Sequence, residues 1–524
     1  MRRTERAAAA LLVTLGIGVA MSAQAQNLTL AVAAPATSFD PHYHTLTPNA
    51  ALSDHVFEAL VERTPEGRPV PGLAVSWKAL DDQTWEFKLR EGVKWQNGED
   101  FTAEDVVNTI NRVPKVLNSP GSYAVYTRAI DRMEVVDPHT IRFHTKTVYP
   151  LLPTDLTQVS VIWRGLGDEV STSDFNGGKA AVGTGPYRLE RYEHGNRAIF
   201  VRNDAYWGGK PTWARVDYRM IPNDGARVAA LQAGDVEFID NVPTQDLAKL
   251  EKEKGIHISR ANSLRSIMIR TDFRPQTPYV SGPNGEKLDK NPLLDRRVRE
   301  ALSIAINRKA IAERIMSGTA NPTGQMMPEG AFGYSPDVPP PPYDPARAKK
   351  LLAEAGFPNG LSVTLISPNN RYINDSLIAQ AVGQMWARVG IKTNVDAMPS
   401  TVFFQRTAQQ DSSLALTGWA NSVGEPSPGL KGQFATRDRT KGFGTVNHAL
   451  YSNKDYDALL EKALATVDDE KREAMFQELS AMLARDFAYI PLHHQVNLWA
   501  MRDTLVHTPR ADEMTRAIDI KPKS

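Results

Sequence analysis

The chain has 524 residues, of which 41% are hydrophobic and 23% charged, a balance that excludes a disordered or low-complexity protein. Lys and Arg number 61 against 60 Asp and Glu, a formal net charge of +1, which argues against nucleic acid or an anionic membrane as the main partner. There is no Cys, so disulfides, thiol catalysis and a lipid-bearing N-terminal Cys are excluded, and a length about three times that of a typical domain predicts at least two cores.

At the start, Arg2, Arg3 and Arg6 precede an apolar stretch from Ala7 to Ala20 and then Ala23-Gln24-Ala25, the layout of a cleavable secretion signal over residues 1–25. The stretch is shorter than the roughly 20 residues that cross a bilayer, and a cell with a periplasm fits a secreted chain without cysteine. FTAEDVVNTINRV (101–113) predicts a helix opened by a capping box at Thr102 and Asp105, with Val106, Val107, Ile110 and Val113 on one face and Pro114 as its stop. The Gly183-x-Gly185 pair is followed by Pro186 and an extended run, not by the helix start that a phosphate loop requires.

Further on, VPPPPY (338–343) reads as a stiff surface loop. Asp344 then caps a helix over 343–357, with Pro345 in its first turn, Ala348, Leu351, Leu352 and Ala355 as an apolar stripe, and Gly356 as terminator. Leu361, Val363 and Leu365 alternate as in a strand, Leu377, Ile378, Ala381, Val382, Met385 and Val389 recur at helical spacing, and Ile391–Val395 reads as a second strand, which together predict a β-α-β unit. Two helices follow, on Tyr456, Leu459, Leu460, Ala463, Leu464 and Val467, and on Phe476, Leu479 and Leu483.

For chemistry, the chain lacks Gly-x-Ser-x-Gly, a Walker loop, His-Glu-x-x-His and a dinucleotide fingerprint, so no catalytic residue, cofactor or metal site is assigned. His42-x-His44 and His493-His494 are close histidine pairs and read as structural, since a pair does not assemble a coordination sphere. Trp419 stands out in LALTGWANSVGEPSP (414–428), where an apolar strand gives way to a polar loop; it reads either as a buried Trp closing the strand or as a flat wall for a bound solute.

Seven blocks carry a family resemblance: EALVERTPEGRPVPGLAVSW (58–77), EGVKWQNGEDFTAEDV (91–106), GTGPYRLERY (183–192), NDAYWGGKP (203–211), RRVREALSIAINRKAIAERI (296–315), YDPARAKKLLAEAGF (343–357) and IPLHHQVNLWA (490–500). In order and spacing the chain resembles the family 5 extracellular solute-binding proteins, the dipeptide, oligopeptide and nickel binders of ABC importers. The resemblance implies an α/β fold, a two-lobed clamp with mixed sheets flanked by helices. It implies lobe I at 26–265, enlarged by a subdomain at about 72–182, lobe II at 266–489, a return to lobe I at 490–524, and crossings near Ser263–Asp272 and Tyr489–Asn497.

It further implies a periplasmic, non-enzymatic monomer that delivers a small peptide or peptide-like solute to the importer's permease. Arg371 stands where the dipeptide binders hold the peptide carboxylate, and a guanidinium fork suits that anion. Trp419 and Asn421 border the ligand. Ser422 occupies the place of the Asp that pairs with the peptide amine, so either Glu425 supplies that carboxylate from a shifted position or the amine pocket is gone. Thr37, Ser38, Phe39 and Tyr43, in the loop Ala36–Asn49, are expected at the cleft from lobe I. Loss of the Asp also keeps open a non-peptide solute on the same fold: a nickel chelate, an opine or sugar conjugate, or a sterol-type acid. A secreted hydrolase and a chemotaxis receptor component are the readings from other classes.

Overall fold

The structure is a computed structural model that describes residues 27–167, 169–369 and 371–523; the expected secretion signal lies outside the described residues. Its first half contains β1 (Asn27–Val32), α1 (Thr47–Ser53), β2 (Ala74–Asp81), β3 (Thr84–Leu89), α2 (Ala103–Arg112), β4 (Ile130–Asp137), β5 (Thr140–Thr145), β6 (Tyr187–Glu193), β7 (Arg197–Arg202), β8 (Arg215–Met220) and β9 (Phe238–Asp240). The second contains β10 (Ile256–Thr271), α3 (Arg296–Ile304), α4 (Pro345–Glu354), β11 (Leu361–Pro368), α5 (Asp375–Ala387), β12 (Ile391–Met398), β13 (Leu414–Ala420), α6 (Lys454–Leu464), α7 (Asp469–Asp486) and β14 (Tyr489–Arg502).

Local chemistry explains the helices that the sequence announces. Asp105 accepts from the Thr102 amide at 2.9 Å and also from the Trp95 indole and the Arg164 amide, so the first turn of α2 is tied to the wall beside it. The Asp344 carboxylate accepts from the Arg347 amide at 2.8 Å, capping α4 after an irregular proline run. In α5 the face is rotated from the expected stripe: Leu377 is exposed, whereas Trp386 is fully buried and donates its indole N–H to the Leu302 carbonyl. Indole buries more apolar area than leucine, so the helix turns its Trp to the core.

Strands β11 and β12 pair in parallel around α5, as a β-α-β unit requires. One mixed sheet runs in the order β11, β13, β10, β14, β9, β1, β8, β7, β6, with β12 beside β11. The long antiparallel strands β10 and β14 belong to both ends of this sheet and carry the chain between two lobes. Lobe I packs around Leu28, Phe57, Phe200 and Trp499. The antiparallel sheet β2-β3-β5-β4, with α2, forms a further core around Phe87, Trp95 and Phe143. Lobe II packs around Ile269, Leu302, Leu365 and Trp386, with a satellite core on α6 and α7.

Candidate functional site

Between Asn262 and Ser266 the β10–β14 register breaks, and the freed stretch is held by other partners. The Leu264 amide donates to the Ala511 carbonyl at 3.0 Å, and the Asn421 amide donates to the Leu264 carbonyl at 3.1 Å. Ser263 and Arg265 both donate to the Glu513 carboxylate. The turning point between the lobes therefore gathers the C-terminal loop and the loop after β13 at one place.

Around that place lies a pocket with walls from both lobes. Lobe I contributes Thr45–Thr47, Ala50, Arg63, Tyr123, Tyr126 and Gln158, the C-terminal loop contributes Asp512 and Met514, and lobe II contributes Ser422. Arg63 donates to the Ser422 carbonyl at 2.6 Å and Gln158 donates to the same oxygen at 3.4 Å, while the Tyr126 and Ser422 side chains hydrogen-bond each other. Arg68 adds a second bridge, with two N–H groups on the Gly330 carbonyl at 3.0 and 3.2 Å. Behind these contacts two backbones nearly touch: a Cβ on Gly424, which has φ +80°, would stand 2.0 Å from the Gly67 carbonyl oxygen. Only glycine permits both that torsion and that approach.

Charge in the pocket is arranged in fixed pairs. Asp512 is buried, which works against its ionisation, but Arg510 at 2.7 Å and Arg63 at 3.7 Å overcome this and hold its carboxyl at about 2. Deeper in lobe I, Asp54 is pushed up to about 7 by burial and then by the neighbouring Glu62. At the lobe boundary Asp155, which accepts from the Tyr149 hydroxyl at 2.6 Å, is pushed up to about 7 by burial and by Glu425 of the opposite lobe.

Of the residues singled out in the sequence, Ser422 lines this pocket and the others lie outside its lining. Ser422 lies on the pocket, and it meets lobe I through its backbone carbonyl as well as its side chain. Trp419 is half-buried on β13 beside Gly429, where a Cβ would lie 2.9 Å from its indole nitrogen and 3.1 Å from the Asn421 Oδ1, two atoms without a hydrogen-bond partner among the described residues. Asn421 is buried and donates to the Met326 carbonyl. Arg371 is exposed, with no ion-pair partner among the described residues, and its guanidinium lies 5.2 Å from the ring centre of Tyr372, whose hydroxyl donates to the Gly418 carbonyl.

Glu425 does not stand free as the shifted carboxylate that the sequence allowed: it is buried, 3.3 Å from Arg472 and accepting from Ser427. Two of the lobe I expectations are also used internally. Phe39 is fully buried against Phe57, Tyr192 and Phe200, and the buried Ser38 hydroxyl donates to Asn176 at 2.9 Å. The Ala36–Asn49 loop turns this apolar ring inward, which leaves Thr37, exposed and bonded to Asn49, and the half-buried Tyr43 as its outward members.

Three of the four paired histidines are built into the scaffold, and the fourth, His44, is half-buried 3.4 Å from the Thr37 hydroxyl. His42 accepts from Arg112 and donates to the Ser160 carbonyl, and burial holds it near 4; His493 and His494 lie buried in β14 at about 3 and 4. Among the described residues no group of three or more His, Asp or Glu is set to hold a metal ion. Sequence reading missed Arg63, Tyr123, Tyr126, Gln158 and Asp512; Arg63 lies inside a family-like block, and the others carry no local signal.

Comparison with known proteins gives the following. The sequence model for bacterial extracellular solute-binding proteins, family 5 Middle, matches residues 68–441. The glutathione-binding protein GsiB of Shigella flexneri serotype 5b (strain 8401) is 32% identical over 505 residues, covering 91% of this chain and 93% of the relative. Among solved structures, HbpA2 from Haemophilus parasuis superposes with a TM-score of 0.82 at 22% identity, over 95% of this chain and 100% of that one. The periplasmic binding protein DppA from Helicobacter pylori, in complex with peptide STSA, gives 0.74 at 23% identity over 95% and 98%.

Proposed function

This chain belongs to the bacterial extracellular solute-binding proteins of family 5, and on that premise we propose that it captures a small, zwitterionic peptide-like solute of the size of glutathione or a tripeptide. It closes on that solute and presents it to the permease of an ABC importer, as a non-catalytic periplasmic monomer released from a signal over residues 1–25. The observation that carries this reading is the pocket at the turning point of β10 and β14, whose walls come from both lobes and which Arg63 spans. A ligand lying there touches both lobes in the closed state, and the extra contact free energy of that state drives closure. The relative bearing the name glutathione-binding protein supports the ligand class.

Arg371 is the proposed anchor for the solute carboxylate, because its guanidinium is exposed and has no ion-pair partner among the described residues. Trp419 is the proposed flat wall, with Asn421 and Ser422 beside it and Thr37 and Tyr43 approaching from lobe I. The test is a thermal-shift screen of protein unfolded and refolded to strip bound solute, against glutathione, di- and tripeptides, nickel with and without chelators, and opine-type conjugates. A rise in melting temperature with peptides or glutathione is expected. A rise with nickel or non-peptide acids alone would reassign the ligand class, and turnover of a peptide or ester would overturn the non-catalytic reading. Arg371→Ala should weaken binding of the solute by about 2 kcal/mol, roughly thirtyfold, with the ligand-free melting temperature unchanged.

A further inference from the structure

The cleft pocket continues inward. Ala50, Arg63, Tyr123, Gln158 and Met514 line it and also line a deeper recess in lobe I, whose charged groups are Asp54, Glu62, Arg510 and Arg516. The charges there do not cancel. Asp512 takes Arg510 at 2.7 Å and Arg63 at 3.7 Å; Arg516 takes Asp519 at 2.9 Å and Glu62 at 3.6 Å. Three guanidiniums, Arg63, Arg510 and Arg516, thus face four carboxylates, Asp54, Glu62, Asp512 and Asp519. Asp54 is the one left over: its carboxylate has no hydrogen bond or ion pair with any described residue and faces the recess.

Asp54 is half-buried without a hydrogen bond or ion pair among the described residues, and the wider cluster of these seven side chains, of which Asp512 and Asp519 lie outside the recess lining, is one positive charge short. The recess admits a group the size of water or an ammonium. We propose that it takes the primary ammonium of the solute, with Asp54 as counter-charge and Glu62 beside it, while the rest of the solute occupies the outer pocket between the lobes. This deepens the reading of a peptide-like solute and rests on it. It also accounts for the loop after β13, where Ser422 is uncharged and Glu425 is held by Arg472. The amine is then read by the lobe through which Arg63 senses closure, since Arg63 lines both chambers and reaches the Ser422 carbonyl.

Calorimetry on the refolded protein with glutathione and trialanine, each free and N-acetylated, tests this directly. The parent should prefer the free amines at least tenfold, and Asp54→Asn should lose that preference by weakening only the free-amine forms. Equal binding of free and acetylated peptides by the parent, or an unchanged preference in Asp54→Asn, would overturn the ammonium recess while leaving peptide capture intact. If no peptide binds the parent, the peptide reading itself fails, and the recess is then judged with methylammonium. A thermal shift larger than that from potassium chloride at equal ionic strength, and absent in Asp54→Asn, supports it. No shift, or an equal shift with potassium, rejects it.

Discussion

Two carboxylates of this molecule, the half-buried Asp54 and the buried Glu425, keep different company, and that difference sets what each can do. Glu425 sits 3.3 Å from Arg472 inside lobe II. Glu425→Ala would leave that guanidinium with its remaining partner, the exposed Asp469, and should cost roughly 3 kcal/mol, read as a lower melting temperature with or without ligand. Asp54 lacks such a partner, and burial, with Glu62 next, raises it from 3.8 to about 7. A carboxyl that holds its proton more tightly folded than unfolded contributes stability that is fully present below the unfolded value and is lost as pH rises between about 4 and 7. Asp54→Asn should therefore melt higher than the parent at pH 8 without ligand, with the advantage gone near pH 4; a constant difference across that range would contradict this origin.

Elements in this chain are positioned by their ends as much as by their faces. The α4 cap rests on one carboxylate, Asp344, accepting from the Arg347 amide. Asp344→Ala should cost about 1 kcal/mol, seen as faster amide exchange over 345–354 and little change in the rest of lobe II. The same logic makes α2 and α4 legible from sequence, because a capping residue and an apolar stripe lie within a dozen residues of one another. In α5 periodicity alone placed Leu377 on the buried face, and the size of Trp386 decided otherwise.

At the scale of the whole molecule the decisive contact is between backbones. Gly67 of lobe I and Gly424 of lobe II approach so closely that a methyl group on Gly424 must push the lobes apart or strain the loop. Gly424→Ala should shift the population toward open conformers and weaken solute binding roughly tenfold or more, while lobe cores stay intact. Small-angle scattering with and without solute checks it: the parent contracts on binding, and the variant contracts less at equal saturation.

The family, the β-α-β unit around α5 and the capped helices are legible in the sequence, because each of these is written in short runs whose spacing is fixed by backbone geometry. What only the tertiary structure decided is the pocket. Arg63, Tyr123, Gln158 and Asp512 come from distant parts of the chain and meet where β10 and β14 change lobes, so no local pattern announces them. Nor can a sequence say which acid is free: Glu425 is satisfied by an arginine on α7 and Asp54 is left over by three arginines already paired, a balance of charges that exists only once the chain is folded.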